Sequence, residues 1–276
     1  IMTDMAELVG NDADAQIFAK RAETVRQNMI DKYIDEDGNL LTATADADAN
    51  GNPPKVGLFP AMTCMDNAQT GLLWALKLGM YNDEATRQAL INNLLVNIRN
   101  ENKSIRPDGA ENSLSVGFLG VNVLLPVLTD VGEAETAYTL LLQDQNPSWL
   151  YSVKQGATTI WERWDAYNLD TSFGTSSMNS FNHYSYGACL EWMYNYMSGI
   201  KGEESSPAYK HFILQPTVDA QGRITYVNGS YKSLYGNIVS NWTSENGALA
   251  TYDATVPANS AATLYLPVTG KTINLP

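Results

Sequence analysis

Apolar positions recur at helical spacing through roughly the first two hundred residues and then switch to alternation. Met2, Met5, Leu8 and Val9 predict a short helix over 2–9. Asn11 with Asp12 and Asp14 supplies a cap and an acidic first turn, and Ile17, Phe18, Ala22, Val25 and Met29 line one face of a helix running to Tyr33. Residues 35–54 are rich in Asp, Asn, Gly and Pro and predict a long loop. Helical spacing returns over 61–78, from an Asn82 cap to Ile98, over 115–128, over 133–143 and over 181–197, with Gly199 as the last stop. Residues 202–207 read as a linker. Short alternating runs follow at 212–214, 224–231, 238–242, 249–256 and 262–266, with turn pairs at Asn228-Gly229, Tyr235-Gly236 and Asn246-Gly247.

Helices first and strands after predict a mainly α chain with a β module, and exclude the strand–helix alternation of Rossmann or TIM folds. Helices at hairpin spacing without a fixed-period repeat point to a toroid of paired helices rather than a solenoid. About twelve helices complete such a ring, estimated from helix and loop lengths. The pattern supplies about seven, so the expectation is an incomplete (α/α)6 toroid over 1–201 followed by a small antiparallel β-sandwich over 207–276. A chain that opens inside a helical pattern is also expected to be part of something longer.

Composition narrows the function. The 276 residues carry a net charge of −13, which argues against a nucleic-acid footprint and against an anionic membrane surface. No apolar run approaches the ~20 residues of a spanning helix. Cys64 and Cys189 sit in apolar helical patterns and read as small core residues, so they leave the compartment open. Tyr (15) and Trp (6) together far outnumber Phe (6). Polar-tipped rings suit sugars, which have C–H faces and hydroxyl rims, although packing must account for most of them.

Several chemistries are missing. There is no Gly-x-Ser-x-Gly elbow, P-loop or dinucleotide fingerprint, and two histidines cannot build a His-rich metal site, so no cofactor and no metal is expected. Residues 46–51 match the first half of a calcium loop, but Gly57 stands where the bidentate acid belongs, which favours a solvated acidic loop.

Two stretches carry candidate chemistry. In Gly156-Ala157-Thr158-Thr159-Ile160-Trp161-Glu162-Arg163-Trp164-Asp165, two indoles flank a glutamate. The rings would exclude water around the carboxylate and Arg163 would favour its ionised form, as a general base requires. A surface ion pair beside buried tryptophans is the plainer alternative. In Ser177-Met178-Asn179-Ser180-Phe181-Asn182-His183-Tyr184-Ser185-Tyr186-Gly187, Asn182 and His183 open the last predicted helix, where the dipole favours a neutral imidazole able to donate to a sugar hydroxyl. A capping network around a buried His is the alternative there.

These two clusters, in this order and followed by this tail, resemble the inverting α-L-rhamnosidases. Further marks are Gly117-Phe118-Leu119-Gly120, Asn146-Pro147-Ser148-Trp149-Leu150-Tyr151, Pro207-Ala208-Tyr209-Lys210-His211 and Val256-Pro257-Ala258-Asn259-Ser260. The resemblance implies the (α/α)6 toroid with a C-terminal β-sandwich, hydrolysis of a rhamnose-containing glycoside, and Glu162 as the base that activates water. It also implies substrate contacts from His183, Trp161 and Trp164, with Asn182 and Trp149 weaker. The family's upstream Asp-Arg-Glu-rich run that supplies the general acid has no counterpart; Asp66 and Glu111 are similar to it only in type. The expected partner is therefore the missing N-terminal part of the same polypeptide. A non-catalytic sugar-binding remnant and a toroid glycosidase for another sugar are the alternatives.

Overall fold

The computed structural model describes residues 1–41, 66–107, 109–174, 177–266 and 272–275. The calcium-like loop, Cys64 and the start of the predicted 61–78 helix lie outside these residues. The chain divides into two compact units, Ile1–Ile105 and Arg106–Pro276.

The first unit is helical. α1 (Met2–Leu8) packs on α2 (Asp12–Tyr33), whose Asn11 cap accepts the Asp14 N–H at 3.2 Å. The predicted apolar face of α2 is largely open: Ile17 and Val25 are exposed, and Phe18 and Val25 line a groove of about 630 Å³ with Met2, Leu78 and Met80. α3 (Gln69–Lys77) and α4 (Glu84–Arg99) pair through Leu72, Leu73, Leu90, Ile91, Leu94 and Ile98, all buried. The α4 cap is Asp83 rather than Asn82, because Asp83 is the side chain that accepts the Thr86 N–H, at 2.8 Å.

The second unit starts with α5 (Phe118–Asp130) against α6 (Ala134–Leu142), then the short α7 (Trp149–Lys154), which periodicity alone had not marked. A loop over 155–184 carries a two-strand hairpin, β1 (Tyr167–Asn168) and β2 (Ser172–Phe173). The last helical segment is a 3₁₀ turn (Ser185–Ala188), α8 (Cys189–Trp192) and a π turn (Met193–Met197). It begins at Ser185, not at Phe181 as the pattern predicted. Residues 180–183 are instead held against 160–162: Glu162 N–H donates to Ser180 O at 2.8 Å, and His183 N–H to Ile160 O at 2.9 Å.

Gly199, at φ 76°, ends the helix, and β3 (Ile200–Gly202) follows at once, so the predicted linker is partly strand. β4 (His211–Leu214), β5 (Tyr226–Ser233), β6 (Gly236–Glu245), β7 (Ala248–Thr255), β8 (Ala261–Tyr265) and β9 (Thr272–Leu275) complete two sheets, ordered β3-β4-β8-β9 and β5-β6-β7. The module is not wholly antiparallel: β4 and β8 run parallel, because the intervening strands form the other sheet and return the chain in the same direction. Asn228-Gly229 is likewise no turn. It lies inside β5, where a Cβ on Gly229 would come within 2.6 Å of the Ser198 side chain. Ile200, Phe212, Leu214, Ala262 and Leu264 share a core with Ile238 of the facing sheet. The inward row of β6 also includes Ser240 and Trp242. Ser240 Oγ donates to Ser198 O at 2.6 Å and Trp242 Nε1–H to Met197 O at 2.8 Å, so the β5-β6-β7 sheet is seated on the end of the last helix.

Arg223 fastens the same junction. It bonds Asp219 through Nε and Nη2, Thr139 Oγ1 through Nη1 at 2.9 Å, and Glu135 through Nη2. Among the described residues no helix is long and apolar enough to cross a membrane.

Candidate active site

The loop over 155–184 carries the candidate residues except Trp149, which opens α7. Glu162 is half-buried, and its Oε2 accepts the Ser180 N–H at 2.7 Å. With the Glu162 N–H on Ser180 O, both ends of the residue are fixed to one position of the facing segment. Arg163 does not pair with Glu162. It makes a two-pronged contact with Asp165, Nε to Oδ1 at 3.0 Å and Nη2 to Oδ2 at 3.2 Å. That geometry matches planar guanidinium to planar carboxylate and leaves Glu162 without a cation in ion-pair reach among the described residues.

His183 is stacked on Phe118, with centroids 4.5 Å apart and planes 11° apart, and its Nδ1 accepts the Ser185 N–H at 3.4 Å. A neutral ring with Nδ1 so occupied carries its proton on Nε2, so it presents a donor. Trp164 stacks on Tyr186 at 3.8 Å and gives its N–H to Val116 O at 3.0 Å. Trp149 meets Trp164 edge-on at 5.4 Å and gives its N–H to Tyr186 O at 2.8 Å. Trp149–Trp164–Tyr186–Phe118–His183 is thus one continuous wall of rings.

The two indoles beside Glu162 therefore part company. Trp164 joins this wall, half-buried, whereas Trp161 is 6% exposed and packs edge-on to Phe181 at 5.4 Å. Trp149 is 9% exposed with its N–H committed internally. Asn182 is exposed. Phe118, Tyr186 and Ser180 are the members that residue-type reasoning passed over. Phe118 and Tyr186 lie in quoted motifs, but stacking between distant rings has no signature in spacing. The anchor from Ser180 is a backbone group, so no residue type announces it.

Residues 1–197 match the family model of the bacterial alpha-L-rhamnosidase 6-hairpin glycosidase domain, and residues 199–274 match that of the bacterial alpha-L-rhamnosidase C-terminal domain. The chain belongs to the bacterial alpha-L-rhamnosidase family. Among curated relatives, an alpha-L-rhamnosidase of Streptomyces avermitilis is 41% identical over 154 residues, covering 56% of this chain and 14% of its own. One of Formosa agariphila is 40% identical over 158 residues, covering 57% and 16%. The chain thus spans about a sixth or less of these relatives' length. Among solved structures, the Streptomyces avermitilis alpha-L-rhamnosidase complexed with L-rhamnose aligns over 97% of this chain and 22% of its own, at 30% identity and TM-score 0.76. The alpha-L-rhamnosidase of Aspergillus terreus aligns over 99% and 28% at TM-score 0.77, and at 23% identity it speaks for the fold alone.

Proposed function

We propose that this chain is the base-bearing part of an inverting α-L-rhamnoside hydrolase. The observation that carries the reading is the Glu162 carboxylate, free of cation pairing among the described residues and anchored through one oxygen by the Ser180 N–H. An anchored carboxylate on a loop, with no cation paired to it, is suited to take a proton from water. As the water oxygen bonds to the anomeric carbon, Glu162 receives its proton. The glycosidic bond breaks on the opposite face, and its oxygen takes a proton from a carboxylic acid. Inverting pairs stand ~6.5–9.5 Å apart to admit the water. That acid comes from polypeptide outside this chain, which also completes the (α/α)6 ring.

Support for an incomplete ring comes from three helix pairs among the described residues, α1–α2, α3–α4 and α5–α6, against the six hairpins in the family description. Further support comes from an aliphatic groove of about 630 Å³ in the second unit, where Leu190, Met193 and Met197 face Leu141, Leu150 and Val153. The helical part is taken to end near 199 rather than 201, and the β-sandwich to begin with β3 at Ile200 rather than at 207, because β3 pairs with β4 in its sheet. His183 donates from Nε2 to a rhamnose hydroxyl. Trp164 and Asn182 offer surface to the sugar, with Trp161 and Trp149 behind them.

Proton NMR of a fresh reaction of the full-length protein with an aryl α-L-rhamnoside tests the mechanism. β-L-rhamnose is the expected first product, and initial release of the α anomer refutes inversion.

A further inference from the structure

Arg163 stands in the chain between two carboxylates, Glu162 and Asp165, and among the described residues it pairs with Asp165 alone. The backbone on either side of it is pinned. Trp161 is buried against Phe181, Glu162 is bonded to Ser180 through both its N–H and its carboxylate, and Trp164 gives its N–H to Val116 O. Beyond Asp165, Ala166 is fully buried and its carbonyl accepts the Asn179 Nδ2–H at 3.0 Å. Gly174 runs so close that a Cβ there would lie 2.8 Å from the Asp165 carbonyl oxygen.

The direction of the Arg163 side chain is therefore set by its partner rather than by packing. Both members of the pair are exposed, at 42% and 48%, so the contact adds little to stability. What it does is occupy the guanidinium. A guanidinium carries five N–H donors, and the adjacent Glu162 has an Oε1 with no hydrogen bond among the described residues. Tyr186 reports how the charges are grouped. Burial raises its phenol above the ordinary value, Arg163 opposes the rise, and Asp165 and Glu162 add to it, so all three act on one ring.

A cation moved onto the Glu162 carboxylate would stabilise its ionised form and weaken it as a proton acceptor, which is the property a general base supplies. It would also take up the oxygen left open to water.

We infer that Asp165 is a positioning residue: it holds the Arg163 guanidinium off Glu162 and so keeps that carboxylate free for water. This rests on the hydrolase reading, and the test keeps the two apart. In the full-length protein, Asp165→Ala lowers kcat for an aryl α-L-rhamnoside by ~10-fold, with KM within ~2-fold of the wild type's. Adding Arg163→Gln to that variant returns kcat to within ~3-fold of wild type, because the intruding cation is gone. A merely structural pair would leave the double variant no better than the single one. An unchanged kcat in Asp165→Ala, or a loss that Arg163→Gln does not relieve, overturns the inference. Should the wild type leave the rhamnoside uncleaved, the hydrolase reading falls, and the crystal structure of the Asp165→Ala protein decides the positioning role by itself. An Arg163 guanidinium paired with the Glu162 carboxylate upholds it, and a guanidinium turned elsewhere overturns it.

Discussion

Replacing Arg223 by Met removes the one side chain that, among the described residues, bonds Asp219, Glu135 and Thr139 together. The Asp219 side chain is 0% exposed. Breaking a buried pair by deleting one partner costs ~3–5 kcal/mol, most of it from the charge left behind. Here two things soften the loss: Asp219 keeps backbone N–H bonds from Arg223 at 2.7 Å and Ile224 at 3.1 Å, and Glu135 is about a third exposed. We therefore expect ~2–3 kcal/mol at pH 7, or roughly 5–10 °C in Tm at ~2–4 °C per kcal/mol for chains of this size.

The pH dependence gives a sharper check. Burial pushes Asp219 up, but the Arg223 side chain and the backbone N–H groups of Arg223 and Ile224 outweigh it and hold the carboxyl below its ordinary value. Its stabilisation is complete above the unfolded value near ~4 and is lost as pH falls through the folded one. Glu135 has the opposite sign. Burial raises it more than Arg223 lowers it, so its contribution is complete below its unfolded value and lost as pH rises through the folded one. Without Arg223 both carboxyls move up, and the penalty shrinks on acidification as they protonate. Calorimetric melts of the wild type and Arg223→Met at pH 7 and pH 4.5 measure this. A penalty under ~0.5 kcal/mol at pH 7, or one that grows toward pH 4.5, refutes the reasoning.

Two further outcomes follow from the second unit. Burial pushes the Cys189 thiol up to about 11, so at pH 8 its thiolate fraction is ~200-fold below that of a free cysteine; iodoacetamide labelling followed by mass spectrometry should be slower by at least that factor than for a cysteine peptide, and comparable rates would contradict the burial. His183→Phe preserves the stack on Phe118 but deletes the Nε2 donor, so rhamnoside kcat/KM should fall by ~10-fold or more with Tm held within ~2 °C, whereas a collapse in Tm would make the ring a packing element instead.

How far the sequence could be read depended on whether a feature is local. The α2 start was legible because Asn11 caps within three residues, and the β6 inward row because alternation is local. The start of the last helix was not: Phe181 continues the apolar period, but pairing of 180–183 with 160–162 takes those backbone groups first. The parallel β4–β8 pair depends on how the chain returns after β5 to β7, which no strand records. Asn228-Gly229 has the composition of a hairpin turn, yet its glycine is needed for the close approach of Ser198. At the site, the candidate residues stood out by type. Their division between a ring wall and an anchored carboxylate did not, since Tyr186, Phe118 and Ser180 act through tertiary stacking and a backbone N–H.

The central claim is that Glu162 removes a proton from the attacking water. Changing it to Gln in the full-length protein keeps an acceptor for the Ser180 N–H and removes only the basicity. The kcat for an aryl α-L-rhamnoside should fall ~10²–10⁴-fold while the variant's melting curve stays with the wild type's. Cleavage at near wild-type rate by a folded Glu162→Gln protein would contradict the account.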